Sequence, residues 1–78
     1  MTMVNKTVDA RGLSCTMPIT KSMQTIKKIK MGQVLEILTT DHGSKKDIPI
    51  WTKVTKQELI SFEERSPVNF RFLVKRMM

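Results

Sequence analysis

From residue 68 onward the chain alternates. Val68, Phe70, Phe72 and Val74 are apolar, and Asn69, Arg71, Leu73 and Lys75 fall between them. A period of two marks a strand with one dry face and one wetter face. A dry sheet face has to be covered by a second layer, which narrows the chain to a small set of layered architectures.

The rest of the sequence supplies that layer. Residues 4 to 10 alternate loosely, with Val4, Val8 and Ala10 set against Asn5 and Asp9, and read as a first strand. Arg11-Gly12-Leu13-Ser14 is a connecting loop in which Gly12 is free to take a positive φ. A helix follows, with Pro18 at an early position where its missing N–H costs nothing. Cys15 or Thr16 lies at or near its N-cap, Thr16 being the better capping side chain. Ile19, Met23, Ile26 and Ile29 or Lys30 follow a spacing of 3 to 4 and form its apolar stripe. Lys27, Lys28 and Lys30 are expected to load its last turn, with Gly32 ending it. Residues 33–39 (QVLEILT) are β-rich and suit a central strand.

Ser44-Lys45-Lys46-Asp47 matches a capping pattern and opens a second helix to about Lys56, with Asp47 as the alternative N-cap because of Pro49. Ile50, Trp51 and Val54 are read as its buried face. Residues 58–63 form a third strand, and Arg65-Ser66-Pro67 a turn into the alternating run. The order strand-helix-strand-helix-strand-strand predicts an α/β two-layer sandwich, a four-stranded mixed sheet with both helices on one face. Trp51, Phe62, Phe70, Phe72 and Met23 are its expected core.

Size and composition exclude much else. Seventy-eight residues make a single domain, 1–78, with one modest core. One cysteine and one histidine exclude a disulfide framework and any multi-Cys/His zinc site, so no metal or cofactor is expected. The Met1–Lys6 start has no apolar signal-peptide core, and no run approaches the roughly 18 residues of a membrane span. A soluble chain with a free thiol suits a reducing cytoplasm. A net charge of +7 permits an acidic partner without choosing between nucleic acid, anionic substrate and protein, and it also serves solubility alone.

Cys15 is the residue with chemistry to offer. A thiol at a helix N-terminus feels the positive end of the helix dipole and nearby backbone N–H groups, and both favour thiolate. Such a setting takes a cysteine pKa from about 8.5 into roughly 3.5–7.5. Arg11 and Lys21 are placed to add positive charge. The competing reading is a small buried hydrophobe, a common fate of free cysteine. His42 reads as a solvated turn residue rather than a catalytic partner, and Asp41 and Asp47 as turn and cap residues. Lys21, Lys27, Lys28 and Lys30 are either a solvated helix face or a docking face for acidic proteins.

Asp9-Ala10-Arg11-Gly12-Leu13-Ser14-Cys15-x-Met17-Pro18, Gly32-Gln33-Val34-Leu35-Glu36, Thr39-Thr40-Asp41, Asp47-Ile48-Pro49 and Glu58-Leu59, in that order and spacing, resemble the TusA/SirA-like family of small sulfur-carrier proteins. The resemblance covers nearly the whole chain. It implies a βαβαββ sandwich and a persulfide carried on Cys15, a sulfurtransferase-like relay rather than a stand-alone enzyme. It also implies a cysteine desulfurase or rhodanese-type donor and a downstream acceptor protein, with tRNA thiolation among the compatible uses. Arg11, Gly12, Thr16 and Pro18 then support the thiolate or the helix start, and Lys21, Lys27 and Lys28 dock partners.

Four positions depart from the family pattern. The Cys-Pro-x-Pro hallmark stands here as Cys15-Thr16-Met17-Pro18, which loosens the backbone between thiol and helix while keeping a capping hydroxyl. His42 replaces a common proline, and Lys56-Gln57 a common Gly-His. Two rivals remain. One is RNA binding through the basic charge, opposed by the absence of tyrosine and the core placement of the aromatics. The other is a protein-interaction module with an idle cysteine.

Overall fold

The computed structural model describes residues 3–13, 17–66 and 69–78. The elements are β1 (Lys6–Ala10), α1 (Met17–Ile26), β2 (Val34–Thr39), α2 (Ser44–Val54), β3 (Glu58–Ser66) and β4 (Asn69–Lys75). The sheet order is β1-β2-β4-β3. β1 and β2 are parallel, so their connection needs a crossover, which α1 makes. β4 pairs antiparallel with both β2 and β3. It fills the slot that the α2 crossover leaves open and is the one strand that runs against the other three. The α/β two-layer sandwich expected from the sequence is the architecture observed.

The core lies between the helices and one sheet face. Val8 and Ala10, Leu35 and Ile37, and Phe70, Phe72 and Val74 meet Ile26, Ile29, Ile48 and Trp51. The alternation of β4 holds, with Leu73 also buried on the opposite face. On that open face a polar row crosses all four strands. Thr7 donates to Glu36 at 2.9 Å, Glu36 pairs with Arg71, Arg71 donates to Glu63 at 2.7 Å, and Arg65 lies 3.6 Å from Glu63. The register accounts for it, since Glu36 and Thr7 are partners, as are Glu63 and Arg71. Edge strand β3 carries bulges between Leu59 and Ser61 and between Glu64 and Ser66, which with its charges discourage further pairing.

Several helix-level expectations are corrected. The buried face of α1 is Pro18, Ser22 and Ile26, and Met23 is 45% exposed. An i, i+4 row at 18, 22 and 26 places Met23 to one side. Ser22 is tolerated inside because its hydroxyl donates to the Pro18 carbonyl at 2.7 Å. α1 ends at Ile26, so Lys27, Lys28 and Lys30 lie in the turns beyond it, and Gly32 (φ +87°) leads into β2. On α2 the buried residues are Ser44, Ile48, Trp51 and Thr52, while Ile50 and Val54 face out. The N-cap is Gly43 without a side-chain bond. Ser44 instead donates to the Asp41 carbonyl and pairs with Thr39 Oγ1, both at 2.6 Å. The helix runs through Pro49. Phe62 is 43% exposed, yet it packs on the rings of Phe70 and Phe72 on the helix side of the sheet. Arg65 and Ser66 belong to β3, and Pro67 and Val68 lie outside the described residues.

Candidate functional site

β1 leaves the sheet at Ala10, and the chain turns at once. Gly12 has φ +82°, the left-handed value its lack of Cβ permits. Its N–H donates to Thr40 Oγ1 at 2.8 Å, and the Leu13 N–H to the Ala10 carbonyl at 3.2 Å. Leu13 packs against the core. Cys15 and Thr16 lie outside the described residues, between Leu13 and the start of α1. Pro18 is fully buried in the first turn of α1, which contains no acidic residue. Leu13 and Pro18, which flank the cysteine in the chain, are thus both packed into the fold, near the end of the sheet where β1 and β2 finish.

The electrostatics of that end centre on Asp9 and Arg11. Arg11 Nε and Nη2 donate to the two Asp9 carboxylate oxygens, each at 2.9 Å, and the Arg11 backbone N–H adds a third bond at 3.2 Å. These bonds, helped by the nearby Lys21 charge, hold the Asp9 carboxyl down at about 2. Arg11 therefore carries its own counterion, and Lys21 is a cation on the same side of the molecule. Lys27 and Lys28 stand apart from both. Ten residues of helix at about 1.5 Å each separate them from the start of α1. The docking lysines proposed from sequence therefore divide between two ends of the protein.

His42 sits in the turn before α2 with its ring edge-on to Phe70, 5.4 Å between centroids. Among the described residues no group of His, Cys, Asp and Glu is arranged to hold a metal, and no helix is long and apolar enough to cross a membrane. Sequence reasoning missed Asp9 as the partner of Arg11, although carboxylate and guanidinium two residues apart at a strand end is a readable signal. It also missed Arg71, whose partners Glu36 and Glu63 become visible only once the strands are paired.

Comparison with known proteins agrees with this arrangement. The profile of the family described as Sulfurtransferase TusA matches residues 6–76. YrkF of Bacillus subtilis, named as a candidate sulfur carrier protein, is 43% identical over 68 residues, 87% of this chain, which spans only 37% of YrkF. The sulfur carrier protein TusA of Allochromatium vinosum is 39% identical over 69 residues, covering 88% of this chain and 90% of that protein. The crystal structure of a SirA-like protein from Desulfitobacterium hafniense superposes with a TM-score of 0.80 at 14% identity, covering 94% of this chain and 99% of the other. A family match over every described element, with a relative of similar length that is 39% identical, places this chain in the TusA/SirA-like family.

Proposed function

We propose that this protein is a sulfur carrier that relays sulfane sulfur as a persulfide on Cys15, taking it from a desulfurase or rhodanese-type donor and passing it to an acceptor protein. The observation that carries this reading is the family match over residues 6–76, which includes the loop bearing the chain's one cysteine. In loading, the Cys15 thiolate attacks the outer sulfur of a donor persulfide. The donor's S–S bond breaks, a new S–S bond forms on Cys15, and the donor sulfur leaves as thiolate. No net oxidation occurs, and the outer sulfur's proton equilibrates with solvent. Unloading repeats the exchange with the acceptor as nucleophile.

The surroundings support this chemistry. The acid-free first turn of α1 leaves the positive end of the helix unopposed. Gly12 precedes and Pro18 follows the cysteine in the chain, and at position 16 the family's proline is replaced by threonine, a residue type that favours helix starts. Lys21 gives this end of the molecule a positive charge for an acidic partner, acting on encounter and orientation. With no second cysteine, the persulfide has no internal thiol to discharge it. Incubation with a desulfurase and free cysteine should add one sulfur atom to the intact mass, and Cys15→Ala should add none. An active donor that leaves the wild-type mass unchanged would refute the reading.

The RNA-binding alternative gains nothing from the sheet. Every described phenylalanine packs with the helix-side layer, and the open face presents an interleaved acidic and basic row rather than stacking rings.

A further inference from the structure

Because β1, β2 and β3 run the same way, their carboxyl ends and the start of β4 meet at one end of the sheet. A cleft of about 290 Å³ opens there, lined by Arg11, Arg65, Arg71, Ser66 and Asn69 over a floor of Leu38, Thr39 and Phe70. Arg11, Arg65 and Arg71 contribute to its lining from the ends of β1, β3 and β4, and no carboxylate is among the described lining residues. Ligands of open α/β sheets characteristically sit outside the carboxyl ends of parallel strands. A volume at the bottom of the roughly 300–1,000 Å³ range of ligand pockets fits a small molecule.

We propose that this cleft binds a small tetrahedral oxoanion of the phosphate or sulfate class. The acids behind it orient the arginines without exhausting them. Asp9 takes Nε and Nη2 of Arg11, Glu36 and Glu63 take Nε and Nη1 of Arg71, and Glu63 lies against Nε of Arg65. A guanidinium has five N–H donors, so each retains hydrogen-bonding capacity beyond these contacts. Such pre-orientation lowers the ordering cost of binding. Ser66 Oγ accepts from Asn69 Nδ2 at 2.7 Å, which leaves the hydroxyl hydrogen to donate elsewhere. The small volume of the cleft favours a compact free anion over an extended nucleic-acid backbone.

The test is a titration of the full chain with sodium phosphate and, separately, sodium sulfate, at ionic strength held constant with sodium chloride, followed by amide NMR shifts. The expected result is saturable movement of the Arg65, Ser66, Asn69 and Arg71 signals that chloride alone does not produce. Arg65→Gln should weaken binding at least fivefold, while the equal charge change Lys53→Gln, on exposed α2, should not. Non-saturating shifts, or equal weakening by both variants, would overturn the site. Tighter binding of a single-stranded RNA oligonucleotide that displaces phosphate from the same residues would overturn the choice of ligand. The titration does not involve the thiol, so its outcome is independent of persulfide loading on Cys15.

Discussion

Lys56 is the residue that most openly contradicts its backbone. It follows α2 with φ 60°, and it is the only non-glycine residue among those described with a positive φ. The geometry is a complete helix stop. The Lys56 N–H donates to the Lys53 carbonyl at 3.3 Å and the Gln57 N–H to the Thr52 carbonyl at 2.8 Å, the paired bonds of a Schellman motif with Lys56 at the position glycine usually fills. A side chain there costs about 1–2 kcal/mol, part of which glycine returns through its greater unfolded-state freedom. Lys56→Gly, restoring the glycine common at this point of the family pattern, should raise stability by about 1 kcal/mol, or about 4–8 °C in Tm for a domain of this size. Lys56→Ala should show no such gain. Thermal unfolding of the two variants side by side checks this.

At the scale of elements, the two helices show how a plausible apolar stripe points the wrong way. On α2 the sequence offers Ile48, Ile50, Trp51 and Val54 within seven residues, and spacing alone does not choose among them. The sheet does, by taking Ile48 to zero exposure and leaving Ile50 half exposed. Ile48→Ala should therefore cost about 2–5 kcal/mol, and Ile50→Ala less than about 1 kcal/mol, as a surface truncation does. Urea denaturation of both variants measures the contrast, and equal costs would mean that α2 is rotated from the orientation described. On α1 the same logic exposes Met23 and buries Ser22, a polar residue that periodicity passes over because its partner, the Pro18 carbonyl, is supplied by the fold.

At the scale of the whole molecule, acid should unfold this protein through its arginine-held carboxylates. Hydrogen bonds from Arg11 hold Asp9 down at about 2, and hydrogen bonds from Arg71 lower both Glu36 and Glu63. Groups depressed on folding contribute stability that is fully present above their unfolded values of about 4 and is lost as pH falls through the folded values. Stability should hold above about pH 5 and decline progressively toward pH 2. Glu36→Gln should flatten that decline while lowering stability at neutral pH. The midpoint of thermal unfolding measured across this range gives the answer, and an unchanged pH profile in Glu36→Gln would remove Glu36 from the account.

The sequence by itself determined the element order, the two-layer architecture, the alternating β4 strand and the place of Cys15 between β1 and α1. These follow from local periodicity, from proline and glycine positions, and from a motif contiguous in the chain. Tertiary structure alone decided which helix faces turn inward, because an amphipathic stripe about 100° wide leaves its rotation to the sheet it packs on. It also decided the partners of Arg71 and the gathering of Arg11, Arg65 and Arg71 around one cleft. Arg11 and Glu36 lie far from Arg71 in sequence, and only hydrogen-bonded strand register, a long-range property, brings them together.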